Sequence, residues 1–489
     1  MMKLMQRFRE ILALVLVGLL PFHALIVTVG TKLLLGPGHA PMAIFAAWKE
    51  AVLGAILLIA LVEFIRKPSF KTDLIDWLII ALVVLSLLVP IFNSQFSILN
   101  FFLGFKYDFI SLLSFLILRR VPWSESFMTR ALKVLLWAGA IVSVYGILTL
   151  FLPAWFFTML GYSDAHSLYL PNAPLAAFQQ ISGSAFRRIQ SPMSGPNQFG
   201  IWLLFPISIC AVRLVASYGF RVSGISQPAT RNPQLMRLVI QYLLLGTLLA
   251  TLFLTFSRSA WIAAFIILLV LLGSVLPRRA LRPLMIGLVG VFIVLFGAVS
   301  IRDPAVFFRL SSDRGHFERP IAAIQTMIAH PIGLGLGSAG PASNRIHEAC
   351  VFLEPNDDPS WAKSSPSLCV FVGKNQVQPS DHVCDCPFLT ENWYLQIGVE
   401  LGLLGFLIYL ALIAVVLARM KMQIVKSKKQ NLFAICDLQF AILLTFIGIS
   451  TAALFLHAWE DAAVAYTGWV LIATVLAVPN FVVLRQTMS

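Results

Sequence analysis

The chain has 489 residues, of which 59% are hydrophobic and 12% charged, and its mean hydropathy is +0.86. Such a chain cannot cover itself with a polar surface, which excludes a soluble globular protein and predicts a polytopic membrane protein. The formal net charge of +14 could suggest a nucleic-acid partner, and the location of the cations decides that point.

Apolar windows of roughly 17 to 25 residues predict an all-α fold with about twelve transmembrane helices. These lie near residues 11–29, 42–65, 74–91, 98–118, 131–152, 199–214, 238–256, 260–276, 283–299, 392–417, 433–456 and 463–484. The predicted domains are helices one to nine over residues 1–300, with a medium outer loop at 153–198, an extracytoplasmic loop domain over 301–391, and helices ten to twelve over 392–489. No small-residue cleavage site follows the first apolar run, so we expect a retained anchor.

If the N-terminus is cytoplasmic, the predicted spans place most of the 36 Lys and Arg residues in short segments on the cytoplasmic side. Cytoplasmic loops carry an excess of Lys and Arg, so both termini are expected in the cytoplasm and the loop after Val299 outside. The basic charge then reflects topology and attraction to anionic lipid. We therefore expect membrane lipid, and no nucleic acid, as a partner.

Lys106 lies about two turns into the fourth predicted span and is followed by Asp108. A cation at this depth needs a cavity or a partner. Lys106 is therefore either a snorkelling or internally paired side chain, or a substrate contact.

The first long outer loop ends with Arg187 and Arg188, shortly before the turn formed by residues 195–197. These arginines are either solvated loop cations or substrate-binding residues. In the stretch TFSRSAW, the turn between spans seven and eight is too short to leave the interface. It holds Arg258 at the outer membrane surface, where a snorkelling arginine is the alternative to a functional one.

The large outer loop begins with a basic segment that contains Arg302, Arg309, Arg314, His316 and Arg319. The apolar residues that follow recur at helical spacing, which predicts an amphipathic helix over Glu318–Ala329 lying on the membrane. Its apolar positions are Ile321, Ile324, Met327 and Ile328.

Residues 335–340 formally match GxGxxG, but no β-strand precedes them and dinucleotides are absent outside the cell. We expect a tight turn that can approach a phosphate, and no dinucleotide site.

The same loop contains four cysteines: Cys350, Cys369, Cys384 and Cys386. An even number outside the membrane favours two disulfides, with three possible connectivities. The alternative is a zinc site that uses His347 or His382, although the paired CxxC spacing of structural zinc is missing. We expect the disulfides and no metal.

The loop closes with Thr390, Glu391 and Asn392 at the head of span ten. A carboxylate at a helix N-terminus is favoured by the helix dipole, so Glu391 is either a helix cap or a general base opposite the arginines.

Three stretches together resemble a known family: SRSAW, PIGLGLG, and the N-x9-G-x-x-G pattern that runs from Asn392 to Gly405. Their order and sidedness are similar to the O-antigen ligase and O-antigen polymerase superfamily of bacterial membrane glycosyltransferases. The resemblance implies glycan transfer from undecaprenyl pyrophosphate to an acceptor hydroxyl, on the outer side of the cytoplasmic membrane, with no metal, nucleotide or other cofactor. Its implied partners are a lipid-linked glycan donor and a saccharide or lipid-saccharide acceptor.

The resemblance also implies roles for individual residues. Arg258 and an arginine of the 314–319 segment correspond to the family's essential arginines, and Glu391 stands where the family has a loop histidine. The implied catalytic residues are Glu391, Arg258 and Arg314. Together with the residue types and positions described above, we expect the substrate-binding residues to be Arg187, Arg188, Arg319, His316, Asn392 and Lys106.

The chemistry agrees with these residue types. A lipid pyrophosphate is already a good leaving group, so cations that hold it and one base for the acceptor hydroxyl suffice. The sequence does not choose between ligation and polymerisation.

The alternative is a polytopic transporter or flippase for a polysaccharide or lipid-linked precursor. It predicts functional polar residues near the bilayer midplane and discontinuous helices. The predicted spans are nearly free of charge, with Lys49 and Lys106 as the main exceptions, so we favour the glycosyltransferase over this alternative and over a structural anchor for an outer partner.

Overall fold

The long apolar runs form α-helices wherever the structure, a computed structural model, describes them. It describes residues 2–68, 71–92, 97–163, 173–180, 186–217, 234–277, 310–353, 358–429 and 433–477, with scattered positions between 279 and 297. The helices are α1 (Met2–Leu19), α2 (His23–Leu35), α3 (Ala43–Ala46), α4 (Trp48–Arg66), α5 (Leu74–Phe92), α6 (Ile98–Leu118), α7 (Glu125–Thr149), α8 (Ala154–Met159), α9 (Pro196–Trp202), α10 (Leu204–Ser217), α11 (Gln234–Leu254), α12 (Arg258–Val275), α13 (Leu310–Ala329), α14 (Gly340–Ser343), α15 (Trp393–Lys429), α16 (Phe433–Ala452) and α17 (Ala462–Val475). The strands are β1 (Gln179–Gln180), β2 (Arg187–Arg188), β3 (Cys350–Leu353), β4 (Cys369–Val372) and β5 (Asn375–Gln378).

Within these described ranges, ten helical segments are long and apolar enough to cross a membrane, and the shorter apolar helix α17 follows them. They confirm a mostly helical, multi-pass membrane protein. The predicted ninth span, 283–299, lies mostly outside the described residues, so the count of twelve stays a prediction.

The centre of the bundle is formed by α10, α16 and α17. Residues 463–475 of α17 are all buried, and the large side chains of Trp202, Trp459 and Trp469 are almost completely excluded from solvent. Peripheral helices instead leave apolar side chains exposed, such as Trp137 on α7. This pattern suits a bundle surrounded by lipid.

Ion pairs between helices, most of them buried, hold one end of the bundle together. Arg9 of α1 contacts Glu63 of α4 at 3.1 Å, and Arg119 contacts Asp76 of α5 at 3.2 Å. Arg130 of α7 reaches Glu10 of α1 at 3.1 Å. Several cations that indicated the cytoplasmic side thus also pair with carboxylates between helices.

A small disulfide-linked lobe follows α14. Strand β4 pairs with β3 in parallel and with β5 in antiparallel orientation, and Ala362, Leu368 and Val370 form its core. The two predicted disulfides are present, and the structure selects one connectivity: Cys350 with Cys386, and Cys369 with Cys384.

The membrane helix α15 is interrupted at Gly402, which has φ 72° and ψ −174°. The interruption frees the carbonyls of Val399 and Glu400, which accept hydrogen bonds from the amides of Leu334 and Gly335 at 2.9 Å each. The amide of Leu403 donates in return to the Pro331 carbonyl at 3.0 Å. The PIGLGLG and N-x9-G-x-x-G stretches are therefore two halves of one junction, in which buried backbone groups satisfy each other.

Candidate functional site

Glu391 immediately precedes α15 and adopts a left-handed backbone conformation, with φ 51°. The cap of α15 is its neighbour, because the side-chain oxygen of Asn392 accepts a hydrogen bond from the Leu395 amide at 3.0 Å. The side-chain amide of Asn392 also donates to the Leu454 carbonyl at 2.8 Å. Glu391 is thus free of the capping role that the sequence offered as an alternative, and Asn392, expected to bind substrate, makes structural contacts.

The carboxylate of Glu391 meets two residues of α13. Arg319 donates a short hydrogen bond to Oε1, and Nδ1 of His316 lies 3.7 Å from Oε2. Residues three apart share a helix face, which explains why α13 presents both side chains together. All three side chains are partly exposed, so a solute can reach the cluster.

The helix that carries Arg319 starts earlier than the sequence predicted, at Leu310 instead of Glu318. Met327 is buried over Gly398 of α15, while Ile321 and Ile328 stay exposed. The amphipathic character is therefore present, with its buried edge against the bundle. Arg314 lies on this helix, but its side chain, like all of Arg302 and Arg309, is outside the described part.

Arg258 is the first residue of α12. Only residues 255–257 separate it from the end of α11, and Phe256 takes a left-handed conformation with φ 49° to close the turn. The predicted tight turn is present, and it leaves the Arg258 side chain partly exposed.

Arg188 is buried and largely occupied by the protein. Its guanidinium donates to the Thr255 carbonyl at 3.0 Å, to Oδ1 of Asn197 at 2.6 Å and to Oε1 of Gln179 at 3.3 Å. These contacts tie the first long loop to the turn before Arg258. The exposed Arg187 lies over the ring of Phe178, so of the two it has the donors to offer a ligand.

Lys106 is internally paired, as one of the sequence alternatives stated. Its Nζ lies 3.1 Å from Oε1 of Glu50, which also contacts Lys49 at 3.2 Å. The carboxylate of Glu50 thus forms ion pairs with both Lys49 and Lys106.

The GxGxxG turn does not offer its amides to a phosphate, which corrects the sequence interpretation. The Gly337 and Ala339 amides donate to Oε1 of the buried Glu400, at 2.9 and 3.4 Å. The glycines serve close packing instead, because a Cβ at Gly337 would lie 2.3 Å from the Asn100 carbonyl oxygen.

Next to this turn lies a buried polar network that the sequence interpretation missed. The side-chain nitrogen of Gln396 lies 3.3 Å from a carboxyl oxygen of both Asp108 and Glu460. Glu460 also accepts the Ala342 amide at 3.0 Å. Burial, followed by the nearby Asp108, raises the pKa of Glu460 well above its usual range. An acidic residue inside an apolar run, such as Glu400, was the available sequence signal.

The sequence interpretation also missed His457. It lies between α16 and α17, and its Nδ1 is 2.5 Å from Oε1 of Gln396. Burial lowers the pKa of His457 to about 4, and the charges of Glu391 and Arg319 also act on it, in opposite directions. His457 therefore contacts the buried network through Gln396.

The zinc alternative has a structural counterpart in the lobe. Possible ligand atoms of Glu348, Cys369, His382 and Cys384 lie within 4.8 Å of one another. The two cysteines are bonded to each other, so this group offers no thiolate in the oxidised protein. Hydrogen bonds to Glu348 and Asp381 raise the pKa of His382.

The fold and the site define a multi-pass helical membrane protein with a charged cluster of arginine, histidine and glutamate where a loop helix meets a membrane helix. The family model described as O-antigen ligase matches residues 243–360, about a quarter of the chain. This match confirms the resemblance drawn from the sequence and supports the O-antigen ligase and polymerase superfamily, with a role in surface polysaccharide biosynthesis. No curated protein matches the chain. The matched segment contains Arg258, His316 and Arg319 and ends before Glu391.

Proposed function

We propose that the protein transfers a glycan from undecaprenyl pyrophosphate to an acceptor hydroxyl on the outer side of the cytoplasmic membrane, without a metal. The observation that carries this proposal is the direct contact of Arg319 with Glu391, with His316 beside them. It combines a pyrophosphate-binding cation and a base in one accessible cluster.

The pair also couples donor binding to base activation. A pyrophosphate attracts guanidinium groups and forms bidentate hydrogen bonds with them. When the donor binds Arg319, it competes with Glu391, which frees the carboxylate to accept the proton of the acceptor hydroxyl. Arg258 and Arg314 add positive charge that stabilises the departing pyrophosphate.

The transfer step is balanced without a cofactor. The acceptor oxygen forms a bond to the anomeric carbon while the bond from that carbon to the pyrophosphate oxygen breaks. The hydroxyl proton goes to Glu391, and the bond electrons leave with undecaprenyl pyrophosphate, whose charge the arginines stabilise.

The transporter alternative gains two observations: the interruption of α15 at Gly402, and Asp108 at the middle of α6. Their partners argue against it. The carboxyl of Glu400 accepts amides of the loop turn, and Asp108 accepts the side-chain amide of Gln396 on α15, so these groups hold the loop and the helices together. A transporter would move the lipid-linked glycan without forming a glycosidic bond, and an assay of bond formation separates the two.

The localisation is part of the same proposal. We place the protein in the bacterial inner membrane with both termini cytoplasmic, residues 301–391 as the outer domain, and membrane helices on either side of it. The lipid-linked donor and the saccharide or lipid-saccharide acceptor then meet at the membrane surface.

The proposal is tested by comparing Glu391→Gln, Arg258→Lys and Arg319→Lys in protein reconstituted into vesicles. Donor and acceptor are the lipid-linked glycan and the unmodified saccharide acceptor extracted from cells that lack this gene. Glu391→Gln should lower transfer by roughly 100- to 10,000-fold without weakening donor binding, since the donor no longer competes with a carboxylate for Arg319. Both lysine variants should weaken donor binding, because an ammonium cannot reproduce the guanidinium fork.

Glu348→Gln provides the matched control, since it removes a carboxylate in the disulfide-linked lobe and should leave transfer unchanged. Wild-type transfer by Glu391→Gln would contradict the assignment of the base. Translocation of the lipid-linked glycan without any bond to the acceptor would favour the transporter instead.

A further inference from the structure

The segment 453–461 is fastened to the head of α15. The amide of Trp393 donates to the Ala453 carbonyl at 2.9 Å, and Asn392 holds the Leu454 carbonyl at 2.8 Å. These bonds bring His457 to the end of α15, next to which Glu391 stands. Hydrogen bonds to the carbonyls of Ala453 and Leu454 therefore help to position His457, in addition to the contacts of its own ring.

The orientation of the Gln396 amide follows from its neighbours. The structure places the NH2 end of the amide 3.3 Å from a carboxyl oxygen of Asp108 and of Glu460, and these two oxygens accept its two hydrogens. The opposite end is the carbonyl oxygen Oε1, which faces Nδ1 of His457 at 2.5 Å.

This orientation fixes the tautomer of His457. A carbonyl oxygen only accepts, so Nδ1 must carry the proton and donate it to Gln396. Nε2 is then the unprotonated nitrogen with a free lone pair. Burial lowers the pKa of His457 to about 4, which keeps the imidazole neutral.

The amide of Gln396 is also held sterically. Gly340 lies so close that a Cβ there would be 2.2 Å from Oε1 of Gln396. The loop turn, the amide and the imidazole therefore form one rigid chain of contacts that leads from the buried carboxyls to His457.

The lone pair of Nε2 has no protein donor among the described residues, although the atom is buried. An unsatisfied buried acceptor costs free energy unless a ligand or water completes it. Asn392, which directly follows Glu391, holds the Leu454 carbonyl three residues before His457. A free acceptor thus lies beside the cluster assigned to transfer.

We propose that Nε2 of His457 accepts a hydrogen bond from a hydroxyl group of the acceptor saccharide, and that His457 is a substrate-binding residue. This inference rests on the proposed glycosyltransferase function and adds to it a contact outside the segment matched by the family. A neutral imidazole with a fixed tautomer distinguishes a hydroxyl donor from an ether or carbonyl oxygen, which has no proton to offer. His457 therefore selects for a free hydroxyl at this position of the sugar.

Two substitutions separate the two nitrogens. Asparagine places a donor where Nδ1 stands, keeping the bond to Gln396, but has no atom at the position of Nε2. Glutamine reaches the position of Nε2 with an acceptor oxygen but loses the donor at Nδ1. His457→Asn and His457→Gln are therefore matched controls for each other.

The measurement is the transfer kinetics of both variants in vesicles, with the extracted donor and acceptor used for Glu391→Gln. His457→Asn should raise the KM for the acceptor by about 3- to 10-fold, the scale of one lost hydrogen bond, with the KM for the donor unchanged. His457→Gln should keep a KM for the acceptor close to that of the wild type. The reverse order, with His457→Asn like wild type and His457→Gln impaired, would show a structural role and overturn the inference.

A second measurement uses the unmodified protein and does not depend on how the variants fold. In protein with nitrogen-15 histidine, the unprotonated Nε2 resonance that chemical-shift correlations assign to His457 should move when the extracted acceptor is added. An unchanged resonance at saturating acceptor would overturn the inference. Because Glu391→Gln tests transfer itself, loss of transfer there together with a normal KM for the acceptor in His457→Asn would refute only this inference.

Discussion

Arg188 and Arg319 show why residue type alone does not identify a site. Both were expected to bind substrate, yet the guanidinium of Arg188 is buried against Thr255 and Asn197, while Arg319 is partly exposed and pairs with Glu391. In the sequence both arginines lie in loops that are predicted to be outside the membrane. Only the fold decides which donors are already used.

His457 offers a residue-scale prediction about acid stability. Its pKa is about 6.5 when unfolded and about 4 when folded, because burial disfavours the imidazolium. Between these values the unfolded chain binds a proton that the folded protein excludes, so the free energy of unfolding falls as the pH drops through this window. From pH 7 to pH 4.5, the melting temperature of wild type should fall about 1 to 2 °C more than that of His457→Gln.

Scanning calorimetry of the two proteins in the same detergent checks this difference. Parallel curves would mean that His457 takes up its proton equally well in both states. Glu391 and Arg319, the charged groups that act on the ring, are present in both proteins, so their effects largely cancel.

At the scale of elements, the order and type of the membrane helices were predictable, and the interruption of α15 was not. The apolar run around Glu400 has helical length and hydropathy, so it predicts one continuous span. Gly402 adopts its special conformation because the Pro331–Gly335 stretch occupies the gap. The 331–335 segment is distant from Gly402 in the sequence, so the hydropathy of the apolar run does not reveal the interruption.

Gly402→Ala should therefore destabilise the protein. A Cβ at this residue would lie 2.2 Å from the Pro331 carbonyl oxygen, and its φ and ψ suit only glycine, at a cost of about 1 to 3 kcal/mol for another residue. We expect a lower melting temperature and faster hydrogen exchange at the Leu334 and Gly335 amides. Gly54→Ala is the control, because a Cβ there meets open space in a helix and should be neutral or slightly stabilising. Equal melting temperatures for the two variants would mean that the junction tolerates a side chain.

The candidate site was partly predictable at this scale. Arg319, His316 and Glu391 came from the sequence because they flank a polar loop and the start of an apolar run. His457 and Gln396 did not, since a histidine in a short loop and a glutamine in a helix carry no pattern of their own. Their importance arises from contacts between α15 and the segment before α17.

For the whole molecule, the distribution of Lys and Arg predicts opposite sides for the two ends of α15. A reporter fused after Lys374, in the turn between β4 and β5, should be extracytoplasmic. A reporter fused after Lys428, near the end of α15, should be cytoplasmic. Activity of paired alkaline phosphatase and fluorescent-protein fusions measures this, and the same side for both sites would contradict the topology and the placement of the transfer site.

The junction at Gly402 also constrains how the protein is made. Residues 331–335 leave the ribosome before α15, and until α15 arrives the Leu334 and Gly335 amides lack the carbonyls of Val399 and Glu400 that they bond in the folded protein. In the interrupted form of α15, in turn, the Val399 and Glu400 carbonyls need these amides, because an unbonded carbonyl costs several kcal/mol in hydrocarbon. Neither segment reaches its final state alone, so we expect insertion of this helix and docking of the preceding loop to be coupled during biosynthesis.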